Sequence, residues 1–513
     1  MRFVAAFAAA LAVVGAGIAL AGRKHSNPRP PIVFVVLDAL PGSMLMKPGG
    51  ELDAERFPGF AELASRATWY RNATTVHDST VKSIPAMLDG RWPSNLRRPL
   101  VSDHPVNLFT LLRDDYRIWA DEEGTQLCPR TVCKQKRARL LYLLHGRREQ
   151  RFAGALSQIG APSKDNRPPL WFMHVLLPHE PLRFLPSGRV YEGGADPEPG
   201  LDGNESFNNE FLTRQAEQRH LLQLEYTDTL VHDLIRRLKA THLYDKTLVI
   251  VTADHGISFR VKPTPAEPYR AGQIGWRRDL TQHNAQHVAF VPLFVKQPGQ
   301  NDGAVDNSWV RTLDILPTLL RAARTKVPRA VAGRALGTTR KQPETLQVLT
   351  NQSGLVELDP RKLEPKRDAA VEQRARRYGI GSDPGALFRI GPHPELIGRA
   401  ITSFAHKAKP NSLAARFWGG RRFLAVDLEG HRLPANVIGW LDGPRSGERD
   451  LAVAVDGKIA AVGRSFARLG GLGLNFSLMV PEMAFRQGFN DVRLYEILGG
   501  TNLVELGRTP RRT

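Results

Sequence analysis

The sequence predicts an α/β protein in which a mostly parallel sheet is sandwiched by helices and followed by a small C-terminal β domain. Three observations predict it. Largely apolar runs recur at Ile32 to Leu37, Leu170 to Leu177 and Thr247 to Ala253, the first and last rich in β-branched residues, the pattern of parallel strands covered on both faces. Stretches of helical periodicity separate these runs, as crossover connections require. Beyond Gly391 the pattern changes to short strands joined by turn residues.

A chain of 513 residues exceeds one ordinary domain. We divide it into 1–25, a membrane anchor or signal segment; 26–327, a catalytic domain; 328–395, a peripheral connection; and 396–513, a β-rich domain. Its 42% hydrophobic and 8% aromatic residues are globular values. The net charge of +20 suits an anionic partner such as a membrane surface or a polyanionic wall polymer. No helix-turn-helix, zinc-finger or RNA-binding signature accompanies that charge, so nucleic acid is not the expected partner.

The elements follow in order. Phe3 to Gly22 is apolar and small between Arg2 and Arg23-Lys24, and about 20 such residues cross a bilayer, so it reads as an anchor or as a signal peptide cleaved near Ala19-Leu20-Ala21. The expected location is the membrane, with the catalytic domain on the extracytoplasmic side, or secreted if the segment is removed. Ser26 to Pro31 is a proline-stiffened spacer. The strand Ile32 to Leu37 ends at Asp38. Helices are predicted at Phe57 to Ser65 and Asn107 to Leu112, then a strand at Tyr116 to Ala120. Cys128 and Cys133, the two cysteines, can close a short disulfide loop in an oxidising compartment or be chance neighbours. The run Leu170 to Leu177 leads into Pro178-His179-Glu180-Pro181. Asn209 to Ala240 reads as a helix with Leu224, Val231, Leu234, Ile235 and Leu238 on one face. The strand after it ends in Asp254-His255-Gly256. A strand at His287 to Val295 and a helix at Val310 to Ala322 complete the domain. Pro328 to Gly391 is rich in Arg, Pro and Lys with weak periodicity. In the last domain, Leu451 to Val455, Asp456-Gly457 and Lys458 to Val462 form a hairpin with a type I′ turn signal, and Phe476 to Val480 and Asn490 to Ile497 add strands of a sandwich.

Acids and an imidazole at the carboxyl ends of parallel strands suit a divalent metal with mixed oxygen and nitrogen ligands. The segment Thr74 to Gly90 places the hydroxyls of Ser79, Thr80 and Ser83 where an apolar helix begins, and a helix amino terminus favours an alkoxide or an anionic ester. A plain Ser/Thr N-cap is the alternative.

Asp38, Thr80, Asp254-His255-Gly256 and Asp314-Ile315-Leu316-Pro317-Thr318, in this order and spacing, resemble the sulfatase and alkaline-phosphatase superfamily over residues 31–324. Formylglycine sulfatases carry Cys-x-Pro-Ser-Arg, with a Leu-Thr-Gly glycine ten places after the cysteine; counting back ten from Gly90 reaches Thr80. Thr80-Val81-Lys82-Ser83-Ile84-Pro85 is similar to the Thr-x-x-Ser-x-Pro of phosphoethanolamine transferases, the branch that also holds lipoteichoic acid synthases. The cysteine and terminal arginine of the sulfatase pattern are missing here, so formylglycine is not expected.

The resemblance implies an alkaline-phosphatase-like fold and one divalent ion (Mn, Zn, Mg or Ca) on Asp38, Thr80, Asp254 and His255, with Thr80 as nucleophile. It implies that His179 is the substrate-side histidine, acting as a proton donor. His283, His287, Arg277 and Arg278 lie between the metal motif and the next strand as substrate-binding candidates, the arginines also being explicable as solvated charge. The implied function is a membrane-tethered, metal-dependent enzyme that cleaves or transfers a phosphate-ester headgroup from an anionic lipid or cell-envelope ester. The alternatives are a sulfuric ester hydrolase or phosphomonoesterase on a small ester, and an inactive scaffold that binds wall polymer. Transferases of this branch often carry several membrane helices, whereas this chain offers one candidate, which points to a separate membrane protein partner.

Overall fold

The computed structural model describes residues 28–133, 148–191, 209–260, 279–406, 413–443, 447–467, 473–500 and 502–509. Among these, seven strands form the central sheet: β1 (Ile32–Asp38), β2 (Thr68–Tyr70), β3 (Arg117–Asp121), β4 (Pro169–Pro178), β5 (Leu248–Ala253), β6 (Leu293–Lys296) and β7 (Ala304–Asp306). Their spatial order is β3-β4-β1-β5-β6-β2-β7. The four strands β3, β4, β1 and β5 run parallel, while β6 is antiparallel to both of its neighbours. Each apolar run is buried along its whole length. The carboxyl ends of β1, β4 and β5 therefore meet at one edge.

Helices cover the sheet: α1 (Pro58–Ala64), α2 (Thr80–Asp89), α3 (Leu108–Leu112), α4 (Arg148–Ser157), α5 (Glu210–Ala240), α6 (Ala285–Val288), α7 (Ile315–Ala322) and α8 (Pro360–Tyr378). Asn107 starts α3 by accepting from the Phe109 and Thr110 amides, and Asn209 starts α5 by accepting from Leu212. The predicted face of α5, Leu224 to Leu238, is buried, each large side chain there contributing about 1.5–3 kcal/mol. Helix α2 ends at Gly90, whose φ of 66° is one that glycine adopts without strain.

Three predicted elements differ. The stretch expected as one strand from His287 to Val295 is helix α6 followed by β6. The helical turn forms because its carbonyls are taken by neighbours: Gly256 N–H donates to Val288 O (2.9 Å) and Thr75 N–H to Ala289 O (2.8 Å). The helix expected from Val310 begins at Ile315, after a two-residue strand and a 3₁₀ turn over Thr312–Asp314. The stretch expected as a peripheral connection holds a hairpin, Leu346–Leu349 with Leu355–Leu358, and the 19-residue helix α8. Its periodicity is weak because α8 buries guanidinium groups: Arg367 bonds Asn72 Oδ1, and Arg374 bonds the Ser43 and Met46 carbonyls.

The C-terminal residues form a five-stranded and a four-stranded sheet. Leu451, Val453 and Val455 of one and Val437, Leu441 and Phe476 of the other belong to the same apolar core. At the hairpin, Asp456 (φ 46°) and Gly457 (φ 82°) make the predicted turn. Cys128 and Cys133 are disulfide-bonded, with Cα atoms 6.0 Å apart.

The expected membrane location is corrected: no helix among the described residues is long and apolar enough to cross a membrane. The apolar segment Phe3 to Gly22, on which that expectation rested, lies outside the described residues.

Candidate active site

At the shared strand edge, ligand atoms of Asp38, His174 and Asp254 lie within 4.8 Å of one another, and all three residues are buried. His174 comes from the middle of β4, opposite Val36 of β1. Side chains alternate along a strand, so His174 shares a face with Val36 and with Asp38 two residues on. Asp38 Oδ1, His174 Nε2 and Asp254 Oδ2 are buried without hydrogen-bond partners. Unsatisfied buried groups of this kind cost about 1–3 kcal/mol each, more when charged, so three of them converging fit a cation.

The imidazoles support the same fit. His174 Nδ1 is 2.6 Å from the Glu123 carbonyl, His255 Nδ1 is 2.9 Å from the Gly256 carbonyl, and His179 Nδ1 is 2.5 Å from the Glu180 carbonyl. A carbonyl only accepts, so each Nδ1 carries hydrogen and each ring turns Nε2 toward the carboxylates. His174 Nε2 is 3.3 Å and His179 Nε2 3.9 Å from Asp38, and His255 Nε2 is 3.4 Å from Asp254 Oδ2. Burial pushes Asp254 up, and the charge of Asp38 adds to the shift. Burial also acts to raise Asp38, but His179, His174 and His255 together hold it well below the usual carboxylate range. For His174, burial acts to lower the pKa, and Asp38, Asp254 and Glu123 outweigh it to give about 9. Two buried carboxylates that recruit protonated imidazole are short of positive charge.

Thr80 is the first residue of α2, and its Oγ1 is 3.4 Å from Asp38 Oδ2 and 3.2 Å from His255 Nε2. Two neighbouring hydroxyls are otherwise engaged. Ser83 Oγ and Thr75 Oγ1 both donate to the Asp254 carbonyl at 2.6 Å, which fixes the first turn of α2 against the metal motif. Ser79 is half-buried, and its amide donates to His77 Nδ1 at 3.0 Å. His77 in turn holds Asn95 Oδ1 at 2.9 Å, and burial lowers its pKa to about 4, so it stays neutral.

Two further groups position the cluster. Arg148 is buried and donates to the carbonyls of Leu176, His179 and Glu180 at 2.6–2.7 Å, while Gln223 of α5 donates to Pro178 and His179. Together they fix the turn that carries His179. Ala39, just after Asp38, has φ 56° and is fully buried, a conformation that alanine holds only under tertiary constraint. Its N–H donates to Asp254 Oδ1 (3.1 Å), and His220 Nε2 donates to its carbonyl (3.0 Å). One peptide thus ties the two carboxylate-bearing strand ends together. Replacing His220 by Ala is expected to weaken divalent-metal binding about 10–100-fold, as outer-shell losses do, with His220→Gln retaining more; calorimetric metal titration checks this.

The remaining predicted residues lie elsewhere. His287 contributes backbone: a Cβ on Gly256 would sit 2.1 Å from its carbonyl, so only glycine allows α6 to pack on the Asp-His-Gly turn. Its imidazole is lowered to about 4 by burial, with Arg374 and Arg260 adding to the shift. His283 is exposed and lines an open groove with Ser353 and Glu357. Arg277 and Arg278 lie outside the described residues. Sequence reasoning missed His174, whose one signal was an imidazole inside an apolar strand, and also His220, Arg148 and Gln223, which act across long sequence separations.

Acid-bearing parallel strands that meet a helix-borne hydroxyl define a class, the metal-dependent hydrolases built on the alkaline-phosphatase plan. Within that class the chain belongs to the Sulfatase family, whose model matches residues 30–325. It is 27% identical over 185 residues to an ulvan-active sulfatase of Formosa agariphila, covering 36% of this chain and 34% of that protein. It is 27% identical over 139 residues to the multifunctional alkaline phosphatase superfamily protein PehA of Trinickia caryophylli, covering 27% of this chain and 24% of that one. Each match thus spans about a third or less of the relative's length. Among solved structures it is similar to the phosphonate monoester hydrolase of Agrobacterium radiobacter, with 14% identity, 68% and 84% coverage of the two chains and a TM-score of 0.46.

Proposed function

We propose that this hydrolase cleaves or transfers phosphate esters through Thr80. The carrying observation is the position of its Oγ1, at a helix amino terminus and within 3.4 Å of both Asp38 and His255, while Ser83 and Thr75 are bound to a carbonyl. Asp38, His174 and Asp254 would hold the divalent ion, with His255 beside it, and two imidazoles favour Zn²⁺ or Mn²⁺ over Mg²⁺ or Ca²⁺. Such an ion supplies positive charge that lowers the pKa of the Thr80 hydroxyl and offsets the charge of the ester's oxygens.

Thr80 loses its proton to solvent, and its Oγ1 attacks phosphorus. The bond from phosphorus to the leaving alcohol breaks, and His179, held by Arg148 and Gln223, gives the departing oxygen a proton. Water or a second alcohol then displaces Oγ1 from phosphorus and returns that proton to His179. Threonine forms no aldehyde hydrate, so release depends on a second attack at the central atom, and phosphorus supports this. The +20 charge supports an anionic ester as substrate, of the kind found on lipid headgroups and envelope polymers.

The test is intact and peptide mass spectrometry of the metal-loaded protein after exposure to an aryl phosphate, a phosphodiester and an aryl sulfate. A phosphoryl adduct on Thr80 is the expected result. Turnover of the sulfate alone would move the reading to sulfate esters, the chemistry that the name of the ulvan-active relative carries.

A further inference from the structure

We propose that the C-terminal domain carries a second binding site, a face for anionic polysaccharide centred on Trp418 and Trp440. These two side chains are 56% and 41% exposed, whereas the other tryptophans among the described residues are buried or half-buried. They lie on one face of the four-stranded sheet. Trp440 is directly opposite Arg416 on one side and Asn475 on the other, and directly opposed residues share a face. Trp418 stands two residues beyond Arg416, and its N–H donates to the Ile438 carbonyl at 2.9 Å, so the pairing continues and Trp418 falls on that face, diagonal to Trp440.

The face is built. Asp442 Oδ1 accepts from the Trp440 indole (3.2 Å), and its Oδ2 accepts from Arg416 Nε (2.7 Å), which fixes the ring and the guanidinium together. A Cβ on Gly439 would lie 1.9 Å from the Arg416 carbonyl and 2.6 Å from the Phe476 ring, so the two strands approach more closely than any side chain would permit. The opposite side of the same strands, Val437, Leu441 and Phe476, fills the core.

Two exposed indoles on one sheet face, that of Trp440 fixed by Asp442, offer apolar area with a polar rim. The C–H faces of pyranose rings stack on such surfaces, and Asp442 and Asn475 can bond their hydroxyls. Arg416 lies on this face bound to Asp442, half-buried Arg422 donates through Nη2 to the Trp418 carbonyl, and exposed Arg421 precedes it in the chain. These arginines select sugar chains bearing sulfate, phosphate or carboxylate. A protein partner would need a wider apolar core than two side chains supply. The site is independent of which ester the catalytic domain cleaves.

The test uses the full chain in affinity electrophoresis and calorimetry with dextran sulfate, neutral dextran and poly-glutamate. Wild type should bind dextran sulfate most tightly, and Trp418→Ala/Trp440→Ala should lose about tenfold with aryl-phosphate turnover and circular dichroism unchanged. Arg421→Glu, on an exposed turn, should weaken the same binding without touching the indoles. Equal affinity of wild type and the double variant for dextran sulfate would overturn the site. So would binding to poly-glutamate as tight as to dextran sulfate, which charge alone explains, or no binding by wild type.

Discussion

Thr80→Ala should lower turnover by about ten-thousand-fold or more, the scale on which loss of a covalent nucleophile is felt, and should abolish the covalent adduct. Three features of the structure set that size. The Oγ1 sits on the first helical residue, where unpaired amides favour negative charge. It faces Asp38 and His255, whereas the hydroxyls of Ser83 and Thr75 are bound to the Asp254 carbonyl. Freeing either would also unpin α2. Single-turnover kinetics with an aryl phosphate checks the prediction, and Thr80→Ser should keep a measurable burst because the hydroxyl survives. Wild-type rates in Thr80→Ala would remove threonine from the mechanism.

Asp254→Ala should cost at least as much, by a different route. Its Oδ1 accepts from the amides of Ala39 and His255, and its Oδ2 is the buried atom aimed at Asp38 and His174. Truncation removes a carboxylate of the candidate metal cluster and releases the peptide that joins the two strand ends. We expect loss of tight divalent-metal binding and no detectable turnover. Asp254→Asn should keep the amide bonds through its carbonyl oxygen while still losing the charge, so it should fold as wild type and remain metal-poor. Metal content after dialysis, measured beside thermal unfolding, separates lost ligation from lost structure. Full metal occupancy in Asp254→Asn would show that the cation lies elsewhere.

The strand ends were legible because a buried parallel strand has a distinctive sequence: a β-branched run stops where the polypeptide must present polar groups, as at Asp38 and Asp254. Thr80 was reached by its spacing from Gly90, which the structure shows as the left-handed end of α2. His174 was hidden because it lies inside such a run, where only the pairing register, opposite Val36, shows that it shares a face with Asp38. Arg367 and Arg374 defeated periodicity in another way, since a buried guanidinium scores as surface until its carbonyl acceptors, distant in sequence, are known. Local pattern reads what a segment does to itself; these residues act on segments far away in the chain.

Helix α5 has one more consequence. Over 31 residues, about 45 Å, it is a single stiff rod, and two consecutive residues about a third of the way along it grip different parts of the protein. Arg219 holds Ser477 Oγ (2.7 Å) in the C-terminal sheet, and His220 holds the Ala39 carbonyl beside Asp38. The sheet that displays Trp418 and Trp440 and the strand end that displays Asp38 are thus fastened to one and the same helix, one residue apart, and a change in its position would reach both.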